Sequence, residues 1–483
     1  MQSVQPHFKL VHQLPRAHYP VKILQFGSGN FLRGFADWML QELNRKMNFG
    51  AGVAVVQSIS RGELLQSQEG VFTVILKGIR DDEFVSEFVK VDVIQRIVNP
   101  AEDFQRFLDE GVNPDLQFII SNTTEAGIQF SSEDTDVNTL ASTFPGKLTQ
   151  LLYYRFSNKL NSGLVVLPTE LIEQNGDQLK AIILKYAQHW SLPSEFIFWL
   201  NANITFCNTL VDRIVSGFPK KPREQVFDEL GYKDELVVEA EWFHLWVIEG
   251  PRWIAEVLPF RKAGFNVIFT HDSKPYRERK VRILNGAHTS MAIIGQIMGL
   301  QSVREAIDSP VLGKFLRRLI YDEIIPHIWG DLNELEKYAD EVINRFRNPA
   351  IDHKLVAISQ QSFSKIKVRV LPSLIDDLER NGHVPERLSL VLASFLFYYR
   401  GAGEGKKFVL KDAEDIIELM ETAWAKTDSS ESQIFDLCKH VLGQPIWGVD
   451  LHKYPQLITR TSQHLFSIIS RGMLETLKGI ENK

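Results

Sequence analysis

The run Val21-Lys-Ile-Leu-Gln-Phe26 stops at Gly27-Ser-Gly29, and an amphipathic stretch over residues 35–47 follows. A short apolar strand, a glycine turn and a helix in that order admit few folds. The first glycine allows a tight turn, and the second lets backbone approach a pyrophosphate. The helix start then offers free N–H groups to an anion. The third glycine of a full fingerprint is missing, because position 32 is Leu and Gly34 comes two residues late. On residues alone the turn reads either as a dinucleotide site or as a plain strand–helix connection. The second strand ends at Gln57-Ser58, with Arg61 and Glu63 beyond it. Arg61 suits either a 2′-phosphate or solvent, so the choice between NAD and NADP stays open.

Strand-length apolar runs recur at residues 52–57, 115–121, 164–167 and 204–207, with helices between them, one over 101–110. Buried strands alternating with helices predict a parallel α/β sheet. Residues 71–79 and 83–98 alternate in polarity and read as extended, hairpin-like pieces. Strand signals become rare beyond residues 265–272. Residues 274–299, 312–324, 332–346, 385–400 and 410–425 read as helices, and 427–432 as a polar loop. The expected class is α/β: a Rossmann-type dinucleotide-binding domain with extended insertions over 18–270, then a mostly α-helical domain over 271–483.

The chain has 483 residues, 44% hydrophobic and 24% charged, which suits a globular protein with a sizeable core. With 54 basic against 60 acidic residues the net charge is −6, which argues against nucleic acid as a partner. The only cysteines, Cys207 and Cys438, exclude a disulfide framework and suit a reducing, cytoplasmic setting. Residues 1–20 lack the apolar segment of a secretory signal. The longest apolar run, 388–399, falls short of the ~20 residues that span a bilayer and suits a buried helix. No membrane association is expected, and the oligomeric state is not readable.

Lys280-Val-Arg-Ile-Leu-Asn285-Gly-Ala-His288 is the most informative stretch. At roughly 100° per residue, Asn285 lies about 140° and His288 about 80° round a helix from Lys280. The three groups can then converge on one small molecule. A lysine among apolar neighbours loses hydration, which makes its neutral amine accessible for proton transfer to or from an alcohol or ketone. Asn285 can donate to a developing oxyanion, and His288 can hold a hydroxyl. The same spacing also fits a solvated lysine, a capping asparagine and a core histidine, and thirteen histidines make chance pairings common. No H-E-x-x-H or C-x-x-C occurs, so no metal is expected.

These residues resemble the polyol-specific long-chain dehydrogenases, the mannitol dehydrogenase group. Gly27-Ser-Gly-Asn-Phe31-Leu-Arg33 is similar to that family's G-x-G-x-F-x-R turn. Val211-Asp212-Arg213-Ile214 is similar to its V-D-R-I segment, and Lys280…Asn285…His288 to its K-x-x-x-x-N-x-x-H helix. Further likeness lies at residues 68–72, 121–125, 246–249 and 345–349, so it spans most of the chain. The resemblance implies a metal-independent, NAD-linked oxidoreductase acting on a small sugar-like substrate. It makes Lys280 the general acid/base, with Asn285, His288 and Asn175 completing the reacting site and Asp212 touching substrate. It assigns cofactor contact to Phe26, Gly27, Gly29, Asn30, Phe31, Arg33, Ser58, Asn122, Thr123 and Glu125. Two departures point from a neutral polyol towards a sugar acid. The family's C-D-N triplet is Pro168-Thr-Glu170 here, and Asp352-His-Lys-Leu-Val356 stands where the polyol enzymes place an arginine. Lys365 or Arg369, or else Lys354 or Lys367, could meet a substrate carboxylate.

Overall fold

A computed structural model describes residues 8–57, 63–80, 83–123, 125–350, 353–400, 402–403, 406–408 and 410–482. The chain divides into two compact units between Ser273 and Lys274.

The first unit is built on strands β1 (Val21–Phe26), β2 (Gly52–Val56), β3 (Phe72–Arg80), β4 (Glu83–Val91), β5 (Ile94–Val98), β6 (Phe118–Ser121), β7 (Leu164–Pro168), β8 (Ile204–Phe206), β9 (Asn208–Asp212), β10 (Val215–Gly217), β11 (Val238–Glu241), β12 (Leu245–Glu249) and β13 (Val267–Thr270). Six of them form the central sheet in the order β5-β2-β1-β6-β7-β8. Every pairing in it is parallel. Counted along the chain this is the doubly wound order 3-2-1-4-5-6, whose direction reverses between β1 and β6. Alternate residues face opposite sides. Ile23, Val53, Val55, Ile120 and Leu167 join one core with Phe35, Met39 and Leu43 of the first helix. Leu24, Phe26, Ala54, Ile119 and Val166 join the other, with Leu148, Leu151 and Ile183. Two smaller sheets complete the unit, β10-β11-β3-β4 and β13-β12-β9.

The structure corrects one expected element. Residues 83–98 are not one extended piece. β4 pairs with β3 as a hairpin, while β5 turns away and adds a parallel edge to the central sheet beside β2. Val91, Val93 and Ile94 are all buried at that corner, and their burial drives the change of sheet.

The second unit is helical apart from two two-residue strands among the described residues. Its centre is the helix Glu386–Tyr398, buried from Arg387 to Tyr398. Helices Pro455–Arg471 and Ala287–Ile297 pack on it. None of the described helices is long and apolar enough to cross a membrane.

Candidate functional site

The strand order puts the reversal point at the ends of β1 and β6, where ligands bind in sheets of this kind. Gly27 follows β1 at φ +113°, and a Cβ there would lie 2.8 Å from the Asn122 carbonyl oxygen. Only glycine fits that turn. A Cβ on Gly29 would meet nothing within 4 Å among the described residues. Gly29 is the N-cap of the helix that begins at Asn30, and no side chain caps it. Its first N–H groups are therefore available to an anion, and the residues fit a dinucleotide's pyrophosphate. A cavity of about 260 Å³ lies beside the turn, with Phe26, Gly27, Val56, Thr123 and Lys147 in its walls.

Arg33, by contrast, points inward. It is 7% exposed, donates to the Leu236 carbonyl and to Asn30 Oδ1 (2.6 Å), and lies over the Phe72 ring. Burial pulls its pKa down to about 10. The guanidinium thus fixes Asn30 from behind. Phe31 stacks on Phe35 with ring centres 5.0 Å apart. The helix runs in π form over Arg33–Asp37 before continuing as α from Trp38.

The loop after β6 is tied to the turn after β7. Asn122 donates to the Thr169 carbonyl at 3.2 Å and to its hydroxyl at 3.0 Å. Glu170 accepts from the Ser121 hydroxyl at 3.0 Å and from Thr123 N–H and hydroxyl at 2.9 and 3.0 Å. Burial raises the Glu170 pKa against the pull of those bonds. Sequence reasoning noted Glu170 only as a departure from a family triplet and missed its bracing of the ligand loop.

Asn175 lies in the interior, its side chain 0% exposed. The amide donates to the carbonyls of Pro168, Glu170 and Thr209 at 3.0, 3.0 and 3.1 Å. Its oxygen accepts from the N–H groups of Gly176 and Thr209 at 3.0 and 2.8 Å. With donors and acceptor saturated, it holds the β7 turn against β9. Asp212 ends β9, is 6% exposed and pairs in register with Leu245 of β12. Arg213 beside it donates to the carbonyls of Glu241 and Gly34. Ser58 and Arg61 lie outside the described residues, and of Glu125 only the backbone is described, in a short 3-10 turn.

In the second unit, Lys280 to Gly286 form a π segment between the α-helices Lys274–Arg279 and Ala287–Ile297. A π-turn closes i to i+5, so Asn285 lies one turn on from Lys280 and on its face. The 140° separation expected from α geometry does not hold. Both side chains are half-buried. Asn285 makes no side-chain hydrogen bond among the described residues, which leaves its amide open to a ligand. Gly286 lets the end of another helix come close: a Cβ there would lie 2.9 Å from the Arg369 carbonyl oxygen.

His288 stacks on Phe346 with ring centres 5.3 Å apart and meets the His353 ring edge-on at 4.7 Å. Its Nε2 is buried with no hydrogen-bond partner among the described residues. Burial, followed by the fields of His353, Arg369, Arg345 and Lys365, holds its pKa well below the usual histidine value. The ring is therefore neutral, inside a cationic setting. Arg369 donates to Thr289 Oγ1 at 3.2 Å, next in sequence to His288. Lys365 reaches the carbonyls of Ile358 and Gln360 at 2.6 and 2.5 Å. Lys367 instead donates to the Ile446 carbonyl at 2.6 Å, and Lys354 is exposed. Of the four basic candidates, Lys365 and Arg369 are those whose charge reaches His288. Arg345 and His353 belong to the same cluster and were not singled out from sequence; Arg345 opens a segment quoted above only as a likeness.

Residues 21–262 match the family described as mannitol dehydrogenase Rossmann domain, and residues 272–469 match mannitol dehydrogenase C-terminal domain. Among curated relatives, the chain is 41% identical over 466 residues to an altronate oxidoreductase of Bacillus subtilis, covering 95% of each chain. A Bacteroides thetaiotaomicron protein of the same name is 41% identical over 474 residues, 96% of this chain and 98% of that one. An Escherichia coli altronate oxidoreductase is 38% identical over 471 residues, with the same coverage. Among solved structures, a D-sorbitol dehydrogenase superposes with a TM-score of 0.81 at 21% identity over 98% of both chains. The Pseudomonas fluorescens mannitol 2-dehydrogenase complex with NAD and D-mannitol gives 0.68 at 23% identity, covering 99% of this chain and 97% of that one. Those two likenesses bear on the fold. With both halves matched in order and the relatives aligned nearly end to end, the chain belongs to the mannitol dehydrogenase family.

Proposed function

We propose that this chain is an NAD-dependent oxidoreductase that interconverts D-tagaturonate and D-altronate in hexuronate catabolism. Full-length similarity to proteins named altronate oxidoreductase supports the substrate pair. The observation that carries the reading is the cationic cluster around a neutral His288, close in sequence to the Lys280–Asn285 face. Such a setting favours a substrate bearing a carboxylate over an uncharged polyol.

In the reduction direction, the Lys280 ammonium gives its proton to the ketone oxygen as charge develops there. The Asn285 amide donates a hydrogen bond to the same oxygen. His288, neutral, holds a substrate hydroxyl, and Arg369 and Lys365 hold the carboxylate. In oxidation the neutral Lys280 amine takes the hydroxyl proton. The nicotinamide cofactor, when bound at the Gly27–Asn30 turn, supplies or accepts the hydride. Gly27, Gly29 and Asn30 form that turn, with Phe26, Phe31, Asn122 and Thr123 around it and Arg33 positioning Asn30. The two cysteines, both free and buried, accord with a cytoplasmic setting.

The test is a panel of tagaturonate, fructuronate and fructose, each followed as NADH oxidation and repeated with NADPH. Tagaturonate with NADH is expected to lead. Fructuronate leading would make this a fructuronate reductase, fructose a mannitol 2-dehydrogenase, and either result overturns the assignment. Nucleotide binding with no turnover on any substrate would point to a non-catalytic nucleotide-binding regulator.

A further inference from the structure

Lys147 is a charged side chain placed where charge is costly. It lies in the first turn of the helix Phe144–Ser157 and is 9% exposed. Its ammonium donates to the Ser142 carbonyl at 2.9 Å, which engages one of its three N–H groups. No carboxylate forms an ion pair with it among the described residues. Asp134, the acid whose field reaches it, accepts instead from Ser142 N–H and the Tyr186 hydroxyl, both at 2.7 Å. Buried cations are ordinarily paired.

Lys147 also lines the cavity beside the glycine turn. Phe26 and Val56, the last residues of β1 and β2, and Phe144 supply apolar walls. None of the described lining residues is acidic. In a sheet of this order the β1–β2 half takes the first mononucleotide, the adenosine side of a dinucleotide. A slot with Phe26, Val56 and Phe144 on its apolar side, polar Thr123, Gln129 and Ser142 on the other, and one ammonium with N–H groups to spare suits a flat ring rich in acceptor nitrogens.

We propose that Lys147 is a binding residue for the adenosine half of the dinucleotide, its remaining N–H groups donating to acceptor nitrogens of the base enclosed in this cavity. The proposal rests on the NAD reading above but not on the identity of the sugar acid. Its test is direct binding: titration of NADH by its fluorescence, and displacement of NADH by AMP, which carries the adenosine half alone. K147M is expected to raise the Kd for NADH and for AMP together, about tenfold or more. K147R should recover part of the affinity. K147Q, neutral but still a donor, serves as the second variant should K147M not fold, with weakened AMP binding expected again. AMP bound as tightly by the variant as by the wild type overturns the proposal. So does a loss confined to NADH, because the defect then lies away from adenosine. Wild-type protein that binds NADH and AMP but reduces no sugar acid sinks the substrate assignment and leaves the role of Lys147 standing.

Discussion

Lys280 and Asn285 stand one π-turn apart, on the same side of their helix. Ordinary α geometry would swing the amide about 140° away from the amine, as five steps of roughly 100° dictate. The wider turn brings the amide back towards the side of the helix that carries the amine. Segments of this kind are rare and recur at functional sites. The first helix of the nucleotide unit carries another, over Arg33–Asp37.

Replacing Lys280 with alanine removes the proton carrier. Turnover of the sugar acid should fall about 10²–10⁴-fold, the usual contribution of general acid–base catalysis. NADH binding, followed by fluorescence, should remain. Unchanged turnover would eliminate the lysine from the chemistry.

The cations near His288 should select for charge. R369M is expected to raise KM for tagaturonate about tenfold or more, the worth of a hydrogen bond to a charged group. KM for fructose, which has no carboxylate, should shift far less. Equal effects on both would assign Arg369 to packing.

Gly27 admits no side chain. In G27A the methyl group would press on the Asn122 carbonyl in a backbone conformation that alanine avoids. A stability loss of about 1–3 kcal/mol is expected, with weaker NADH binding. Calorimetry and a fluorescence titration read the two effects, and wild-type values in both would contradict the geometry.

Asp37 is 0% exposed, accepts from Gln25 at 3.3 Å, and is pushed by burial up to about 7. A folded-state pKa above the unfolded one means that folding favours the protonated acid. This stabilisation is complete below the unfolded pKa of about 4 and is lost as pH rises through 7. D37N should therefore melt above the wild type at pH 8, with the gap narrowing towards pH 5. A gap that widens on acidification would reverse the assignment. Glu323, raised to about 7 by burial, adds in the same direction.

His288 is held neutral across the working range, so its titration should not shape the activity profile. H288Q is expected to raise KM for the sugar acid while leaving the pH dependence of kcat in place. A lost acidic limb in the variant would show that the imidazole does exchange protons.

The nucleotide turn and the Lys280 stretch were legible because each lies within a few consecutive residues. Strand, turn and helix follow one another from Val21, and the amine, amide and imidazole fit within nine positions. What escaped depends on partners distant in the chain. Glu170 braces Ser121 and Thr123, nearly fifty residues upstream. Asn175 resembles a reacting amide locally, and only its bonds to Thr209 reveal it as interior. Residues 94–98 look continuous with the hairpin until β2 offers a parallel edge. The π segment, too, was invisible to a fixed angle per residue.

The saturation of Asn175 bears on how this chain can diversify. Three carbonyl oxygens and two N–H groups, from β7, the turn after it, β9 and the start of a helix, converge on one amide. Aspartate there would differ by one atom pair, yet would aim lone pairs at carbonyl oxygens. That junction is consequently closed to drift. New substrates would be won by altering the helical half and leaving this knot untouched.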